Sequence, residues 1–189
     1  EAARAADAFG IMPGNACEQS DATQAYTQAW LIEDGVETWM RLPRDQWPPS
    51  WRHTKDPVCP LRLALYGHPD SGTCWERHCD AHLKKVGFCT ISEVWHSCYF
   101  HHELKLFLVV YVDDFKLAGP KDNLGPGWSL IRKGLQIGPH SVGYFEWVVN
   151  INAKSLSWRT EPRRSACHTR WSSSCAAVWS AIANMLLAY

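Results

Sequence analysis

The sequence predicts an α+β fold in which an antiparallel sheet carries helices packed on one face. Three observations lead to this prediction. Two apolar runs, 104–112 and 115–119, flank a short acidic turn, which is typical of a β-hairpin. A segment with helical periodicity, 71–86, precedes the hairpin. Strands alternate with helices elsewhere in an order that suits an antiparallel sheet.

The first 60 residues supply the start of this fold. Residues 2–9 are rich in Ala and predict the end of a helix, and 15–22 predict a strand that carries Asp21. Residues 36–42 alternate well enough to predict a second strand. The five prolines in 43–60 predict a loop.

The segment 71–86 is predicted to be an amphipathic helix. Ser71 is the expected N-cap, and Gly87 is expected to end the helix. Its apolar stripe recurs at helical spacing and faces the predicted sheet. The members of the stripe are Trp75, Cys79, His82, Leu83 and Val86.

The other elements follow from shorter patterns. The remaining predicted strands are 96–100 and 143–151, and the remaining predicted helices are 127–136 and 174–188.

Composition restricts the classes of protein to which the chain can belong. Of its 189 residues, 46% are hydrophobic and 20% charged, which is typical of a globular protein. The net charge is zero, so the chain lacks the basic footprint of most nucleic-acid binders. No apolar run reaches 18 residues, so no membrane span is predicted. Eight scattered cysteines favour reduced thiols and an intracellular location.

The acidic turn is the strongest sign of chemistry. Asp113 and Asp114 follow directly on a buried strand, where two adjacent anions are costly unless a cation offsets their charge. Carboxylate oxygens are the ligands that Mg²⁺ prefers. Asp21, at the end of another predicted strand, provides a third carboxylate.

An ordered set of motifs runs through residues 1–150. Asp21 with Tyr26 comes first, Leu65-Tyr66-Gly67 follows, and Tyr111-Val112-Asp113-Asp114 comes last. Together they resemble the reverse transcriptase of copia-type (Pseudoviridae) retrotransposons. The resemblance implies a palm-like domain over 1–150 and leaves 151–189 as an unassigned segment.

The resemblance implies two-metal nucleotidyl transfer to a primer 3′-hydroxyl. Asp21 and Asp113 would bridge two Mg²⁺ ions, with Mn²⁺ as a substitute, and Asp114 would be an accessory ligand. The backbone carbonyl of Ala22 would complete the ligand set.

Further roles carried over from the family concern the substrates. Tyr26 would pack beneath the sugar of a deoxynucleoside triphosphate and exclude ribonucleotides. Ser71 and Gly72 would contact the nucleotide, or form only a helix-capping turn. Tyr111 and Val112 would line the primer terminus.

The resemblance also implies partners and a location. The partners are an RNA or DNA template with a DNA primer, and the rest of a Pol polyprotein: fingers, thumb and RNase H. No membrane partner is expected. The chain would be a truncated or decayed copy, found in cytoplasmic virus-like particles or in the nucleus.

Two alternatives remain open from the sequence. One is a non-catalytic relic that binds nucleic acid weakly. The other is a zinc-binding structural protein, although no C-x-x-C pair occurs. Its candidate ligands are Cys74, His78, Cys79, His82, Cys89, Cys98, His101 and His102.

Overall fold

The computed structural model describes residues 2–31, 37–92 and 95–142. In chain order the elements are helix α1 (Ala2–Gly10), strands β1 (Asn15–Asp21), β2 (Trp39–Met40) and β3 (Cys59–Pro60), helix α2 (Ser71–Lys85), strands β4 (Phe88–Thr90), β5 (Cys98–His101), β6 (Leu106–Tyr111) and β7 (Asp114–Pro120), helix α3 (Lys121–Ile131) and strand β8 (Ser141–Val142). Short 3₁₀ turns lie at Ala25–Gln28, Arg44–Gln46 and Pro49–Trp51.

Six strands form one sheet in the order β4-β5-β6-β7-β1-β8. Every neighbouring pair in this sheet is antiparallel. Strand β1 pairs with β7 along its whole length, from Asn15 opposite Pro120 to Asp21 opposite Asp114. The α+β class and the central hairpin β6–β7 are therefore confirmed.

Helices cover both faces of the sheet, so the prediction of helices on one face is wrong. Leu106, Leu108 and Val110 of β6 belong to the cluster that includes the buried residues of α2 and α3. Phe107 and Val109, which alternate with them, pack with α1. Because β6 is apolar at successive positions, both of its faces must be shielded from water.

Helix α2 forms where the periodicity predicts it. Trp75, Cys79 and Leu83 are buried in the core beneath the sheet. Gly87 follows the helix at φ +97°, a conformation that glycine adopts without strain. The predicted N-cap is wrong by one residue, because Asp70 occupies that position and Ser71 begins the helix.

Helix α3 begins six residues before the predicted start of 127 and ends at Ile131. The Gly-Pro-Gly sequence around Pro126 obscured its first turns, since proline disfavours a helix interior. Leu124, Trp128 and Ile131 nevertheless recur at i, i+4 and i+7, and all three are buried in the core. Tertiary packing thus overrides the local preference of this segment.

Several short elements depart from the predictions. Strand β4 was not predicted, and the predicted strand over 36–42 is reduced to Trp39–Met40 among its described residues. Strand β2 pairs with β3, which lies inside the predicted proline-rich loop. No helix of the described residues is long and apolar enough to cross a membrane.

Three predictions lie outside the described residues. They are the strand over 143–151, the helix over 174–188 and the boundary between residues 150 and 151.

Candidate functional site

The acidic turn closes the hairpin β6–β7 with only two residues. Tyr111 and Asp114 are paired across the strands, so Val112 and Asp113 form the loop. Val112 has φ +56°. A positive φ is unfavourable for a β-branched residue, and it is found mainly where surrounding contacts enforce it. The turn is therefore held in a defined conformation by its neighbours.

Asp21 and Asp114 occupy opposite positions on the adjacent strands β1 and β7. Directly opposed residues of an antiparallel pair project from the same face, with their side chains close together. Both residues are exposed, and their carboxyl groups are close enough for the protonated form of Asp114 to donate a hydrogen bond to Asp21. We call this pair the acidic rung.

The acidic rung carries uncompensated negative charge. Partial loss of water around its carboxyl group raises the pKa of Asp114 above the ordinary value of 3.8. The charges of Asp113 and Asp21, and the hydrogen bond to Asp21, raise this pKa further. No cationic side chain of the described residues forms a salt bridge with these carboxylates.

The donor set of the rung suits a hard divalent cation, which prefers carboxylate oxygens. A cation would also relieve the repulsion that raises the pKa of Asp114. Among residues 2–31, 37–92 and 95–142, however, no three His, Cys, Asp or Glu side chains converge as ligands of one metal ion. The protein thus presents two neighbouring carboxyl groups, with Asp113 close enough to Asp114 for its charge to raise the pKa of that residue.

Ala22 connects the end of β1 to the acidic turn. Its backbone N–H donates to the carbonyl oxygen of Asp113 at 2.7 Å. In extended backbone the N–H and C=O of one residue point to the same side, so the carbonyl of Ala22 also faces the hairpin. On the other side, Thr23 N–H donates to Gln136 and Gly138 N–H donates to Asp21, which fixes this corner to the segment after α3.

A cavity of about 280 Å³ adjoins the turn between α2 and the hairpin. Tyr26, Gly72, Tyr111 and Val112 all line it, so four residues predicted to contact nucleotide or primer lie around one space. The rings of Tyr26 and Tyr66 pack together, with their centroids 4.6 Å apart. Tyr66, which no motif had singled out as a contact residue, is 57% exposed.

Ser71 lies apart from this cavity lining. Its side chain is buried, and its hydroxyl donates to the carbonyl of Leu65 at 2.7 Å and accepts from the N–H of Leu65 at 2.9 Å. These bonds fix the first turn of α2 to the segment before it. The predicted nucleotide contact of Ser71 stays a prediction, and the geometry gives this residue a structural role.

Trp75 is a functional candidate that sequence reasoning placed only in the core. Its indole N–H donates to the carbonyl oxygen of Val112 at 2.6 Å. The apolar stripe of α2 predicted that Trp75 is buried, but nothing in the periodicity indicated a hydrogen bond to the acidic turn.

The described residues give the zinc alternative little support. His82, His101 and His102 line one cavity of about 790 Å³. His82 contacts the carbonyls of Leu130 and Ile131 through Nε2, and His101 accepts from the N–H of Leu104. The rings of His82 and His101 are therefore engaged with backbone, and His102 packs edge-on against the ring of Phe100.

Two of the candidate cysteine ligands are held as thiols. Burial raises the pKa of Cys79 to about 12 and that of Cys98 to about 11. Zinc binds the thiolate form, which these raised pKa values disfavour.

The sequence comparisons point to a mobile element. A stretch of 81 residues is 32% identical to a transposon Ty5-1 protein of Saccharomyces cerevisiae. The matched stretch is 41% of this chain and 26% of the yeast protein, so the chain spans well under two thirds of this relative. No protein-family profile matches the chain. The similarity indicates a relation to a retrotransposon protein of the copia type.

Proposed function

We propose that this chain is a reverse transcriptase palm of a copia-type retrotransposon, an RNA-directed DNA polymerase that extends a DNA primer with deoxynucleotides. The observation that carries the proposal is the acidic rung, where Asp21 and Asp114 meet beside the tip that holds Asp113. The similarity to the Ty5-1 protein adds support, because reverse transcription is the chemistry by which retrotransposons copy themselves.

The three carboxylates have distinct roles in this proposal. Asp21 and Asp113 would hold two Mg²⁺ ions between them, and Asp114 and the Ala22 carbonyl would be accessory ligands. Such a metal pair, for which Mn²⁺ is an expected substitute, stabilises the attacking and leaving oxygens of an in-line displacement. The protein's own contribution would be the rigid end of the central strands β1, β6 and β7, which would hold these oxygens near one point.

The cavity next to the turn is the proposed site of the incoming nucleotide. Gly72, Tyr111 and Val112 line this cavity. In the proposal, Gly72 lets the nucleotide approach the backbone, and Tyr111 and Val112 contact the primer terminus. Tyr26 would exclude a 2′-hydroxyl, with the ring of Tyr66 bracing it from one side.

Changing Tyr26 to Ala tests the nucleotide assignment. We expect discrimination against ribonucleotides to fall on the order of tenfold, because the group that clashes with a 2′-hydroxyl is gone. Single-nucleotide incorporation with dATP and ATP, which differ only at the 2′ position, measures the ratio. Tyr66→Leu is the control for lost aromatic packing, and equal discrimination by Tyr26→Ala and the unmodified chain would assign Tyr26 to the core.

The proposed partners are a template of RNA or DNA with a DNA primer, and the rest of a Pol polyprotein. Since the matched stretch is only 26% of the yeast relative, the fingers, thumb and RNase H parts are proposed as separate contributors.

Primer extension is the experiment that tests the proposed function. The chain, supplemented with the fingers and thumb parts of the polyprotein, is incubated with an RNA template, a labelled DNA primer, deoxynucleotides and Mg²⁺ or Mn²⁺, beside the variants Asp113→Asn and Asp122→Asn. We expect extension that Asp113→Asn abolishes and Asp122→Asn, on the exposed start of α3, leaves unchanged. No extension by the unmodified chain would favour the non-catalytic relic, and extension that survives Asp113→Asn would contradict the metal assignment.

A further inference from the structure

We propose that Trp75 is a positioning residue that fixes the conformation of the acidic turn. Its effect on catalysis rests on the proposed function, whereas its effect on the turn does not. Trp75 lies in the first turns of α2, a different element from the hairpin, and its indole reaches across to Val112.

The geometry shows how the turn is held. The carbonyl of Val112 accepts from Trp75 Nε1 at 2.6 Å, and the carbonyl of Asp113 accepts from the Ala22 N–H at 2.7 Å. Both central carbonyls of the two-residue loop are thus bound by donors from outside the hairpin. One donor is the backbone N–H of Ala22, directly after β1, and the other is the indole N–H of Trp75.

The turn needs such support because the backbone conformation of Val112 is unfavourable for a β-branched residue. Val112 has φ +56°, which crowds its branched side chain, and 44% of the residue is exposed, so little burial compensates. Trp75 is only 2% exposed, so packing in the core holds the donor of this partly buried hydrogen bond in place.

The base of α2 holds the donor in place. The two hydrogen bonds between Ser71 and Leu65 anchor the first turn of this helix one turn before Trp75. Asp113 lies in the turn and Asp114 directly follows it, whereas Asp21 belongs to the separate strand β1. A shift of the turn would therefore move Asp113 and Asp114 relative to Asp21. Carboxylates that bind the same metal ion tolerate only small displacements.

The substitution Trp75→Phe tests the proposal, because it keeps an aromatic ring and removes the N–H donor. Trp128→Phe is the matched control. Trp128 is also fully buried, and its Nε1 donates at 2.6 Å to Glu18, away from the turn. Both variants are expected to lower thermal stability, so stability alone does not distinguish them.

The decisive readout is the set of backbone amide resonances of Val112, Asp113 and Asp114 in the full chain. We expect Trp75→Phe to shift them and Trp128→Phe to leave them near their original positions. In primer extension, Trp75→Phe should lower kcat on the order of tenfold or more while KM stays within about twofold, since the turn acts on the reacting groups. Adding Val112→Gly, which removes the strain at φ +56°, should restore part of kcat.

Two outcomes would overturn the proposal. Turn resonances that Trp75→Phe leaves unchanged would mean that the indole bond does not hold the turn. Equal shifts in Trp75→Phe and Trp128→Phe would mean that the effect is a general loss of packing. If the unmodified chain does not extend primers, the proposed function fails, and the resonances still decide the role of Trp75.

Discussion

Two rungs on the same face of the β1–β7 pair differ in how their charges are compensated. Gln19 lies opposite Lys116, and two residues further along the strands Asp21 lies opposite Asp114. Since side chains alternate along a strand, both rungs project from the same face. Lys116 Nζ forms a 2.8 Å ion pair with Asp7 of α1, and both side chains are more than four-fifths buried. The acidic rung has no cationic partner among the described residues.

The difference follows from what covers each rung. Helix α1 packs over the part of the face that contains Cys17, Val109 and Ala118, and its Asp7 reaches Lys116. The acidic rung is exposed at the end of the strands. A buried charge must be paired, whereas a carboxyl group whose pKa is raised by neighbouring like charges is a candidate functional group. We infer that the first rung serves stability and the second serves function.

The largest expected effect is on primer extension, which should depend on the acidic rung and not on the rung that contains Lys116. Asp21→Asn should lower primer extension on the order of a hundredfold or more, because it removes charge from the proposed metal site. Lys116→Met should leave the rate within about threefold at a temperature where the variant is folded. Initial rates at saturating deoxynucleotide measure both. Similar losses in the two variants would break the comparison.

Stability should show the reverse order. Lys116→Met and Asp7→Asn should each lower the free energy of unfolding by about 1–3 kcal/mol, the cost of losing a shielded charged hydrogen bond. Asp21→Asn should cause no loss, because it removes repulsion. Urea denaturation measures all three, and the double variant Asp7→Asn/Lys116→Met should lose less than the sum of the single changes.

A divalent cation should stabilise only through the acidic rung. With Mg²⁺ or Mn²⁺ at ten times its dissociation constant, the folded chain should gain about 1.4 kcal/mol, seen as a higher Tm. Asp21→Asn and Asp113→Asn should abolish this gain, Asp114→Asn should reduce it, and Lys116→Met should keep it. A gain that persists in full in both Asp21→Asn and Asp113→Asn would place the cation elsewhere.

The smallest expected effect concerns pH. The pKa of Asp114 is raised in the folded protein, so the folded state holds this proton more tightly than the unfolded chain. Its contribution to stability is therefore present below the ordinary value of 3.8 and is lost as the pH rises through the folded pKa. Asp114→Asn should flatten this fall.

Urea denaturation between about pH 3 and about pH 7 measures that slope. Asp45→Asn, at an exposed position far from the rung in sequence, is the matched control. Equal slopes in Asp114→Asn and the unmodified chain, in the absence of divalent cations, would show that the rung is not under repulsion.

Local pattern was enough for the elements nearest the site. The apolar run that ends at Tyr111 predicted the hairpin, and the stripe from Trp75 to Val86 predicted α2, because both periods are written in consecutive residues. The start of α3 was misplaced, since Pro126 opposes a helix that packing enforces. The sequence analysis also missed that α1 covers the second face of the sheet. An Ala-rich segment predicts a helix but does not indicate which surface the helix will cover.

By itself, the sequence determined that this chain builds an acidic hairpin beside a buried helix, and that three aspartates are available to it. Only the tertiary structure decided that Asp21 faces Asp114, that Lys116 is neutralised by α1, and that Trp75 binds the turn. These pairings join residues far apart in the chain. Strand register and helix docking fix them, and both depend on burial across the whole sheet rather than on any local run of residues.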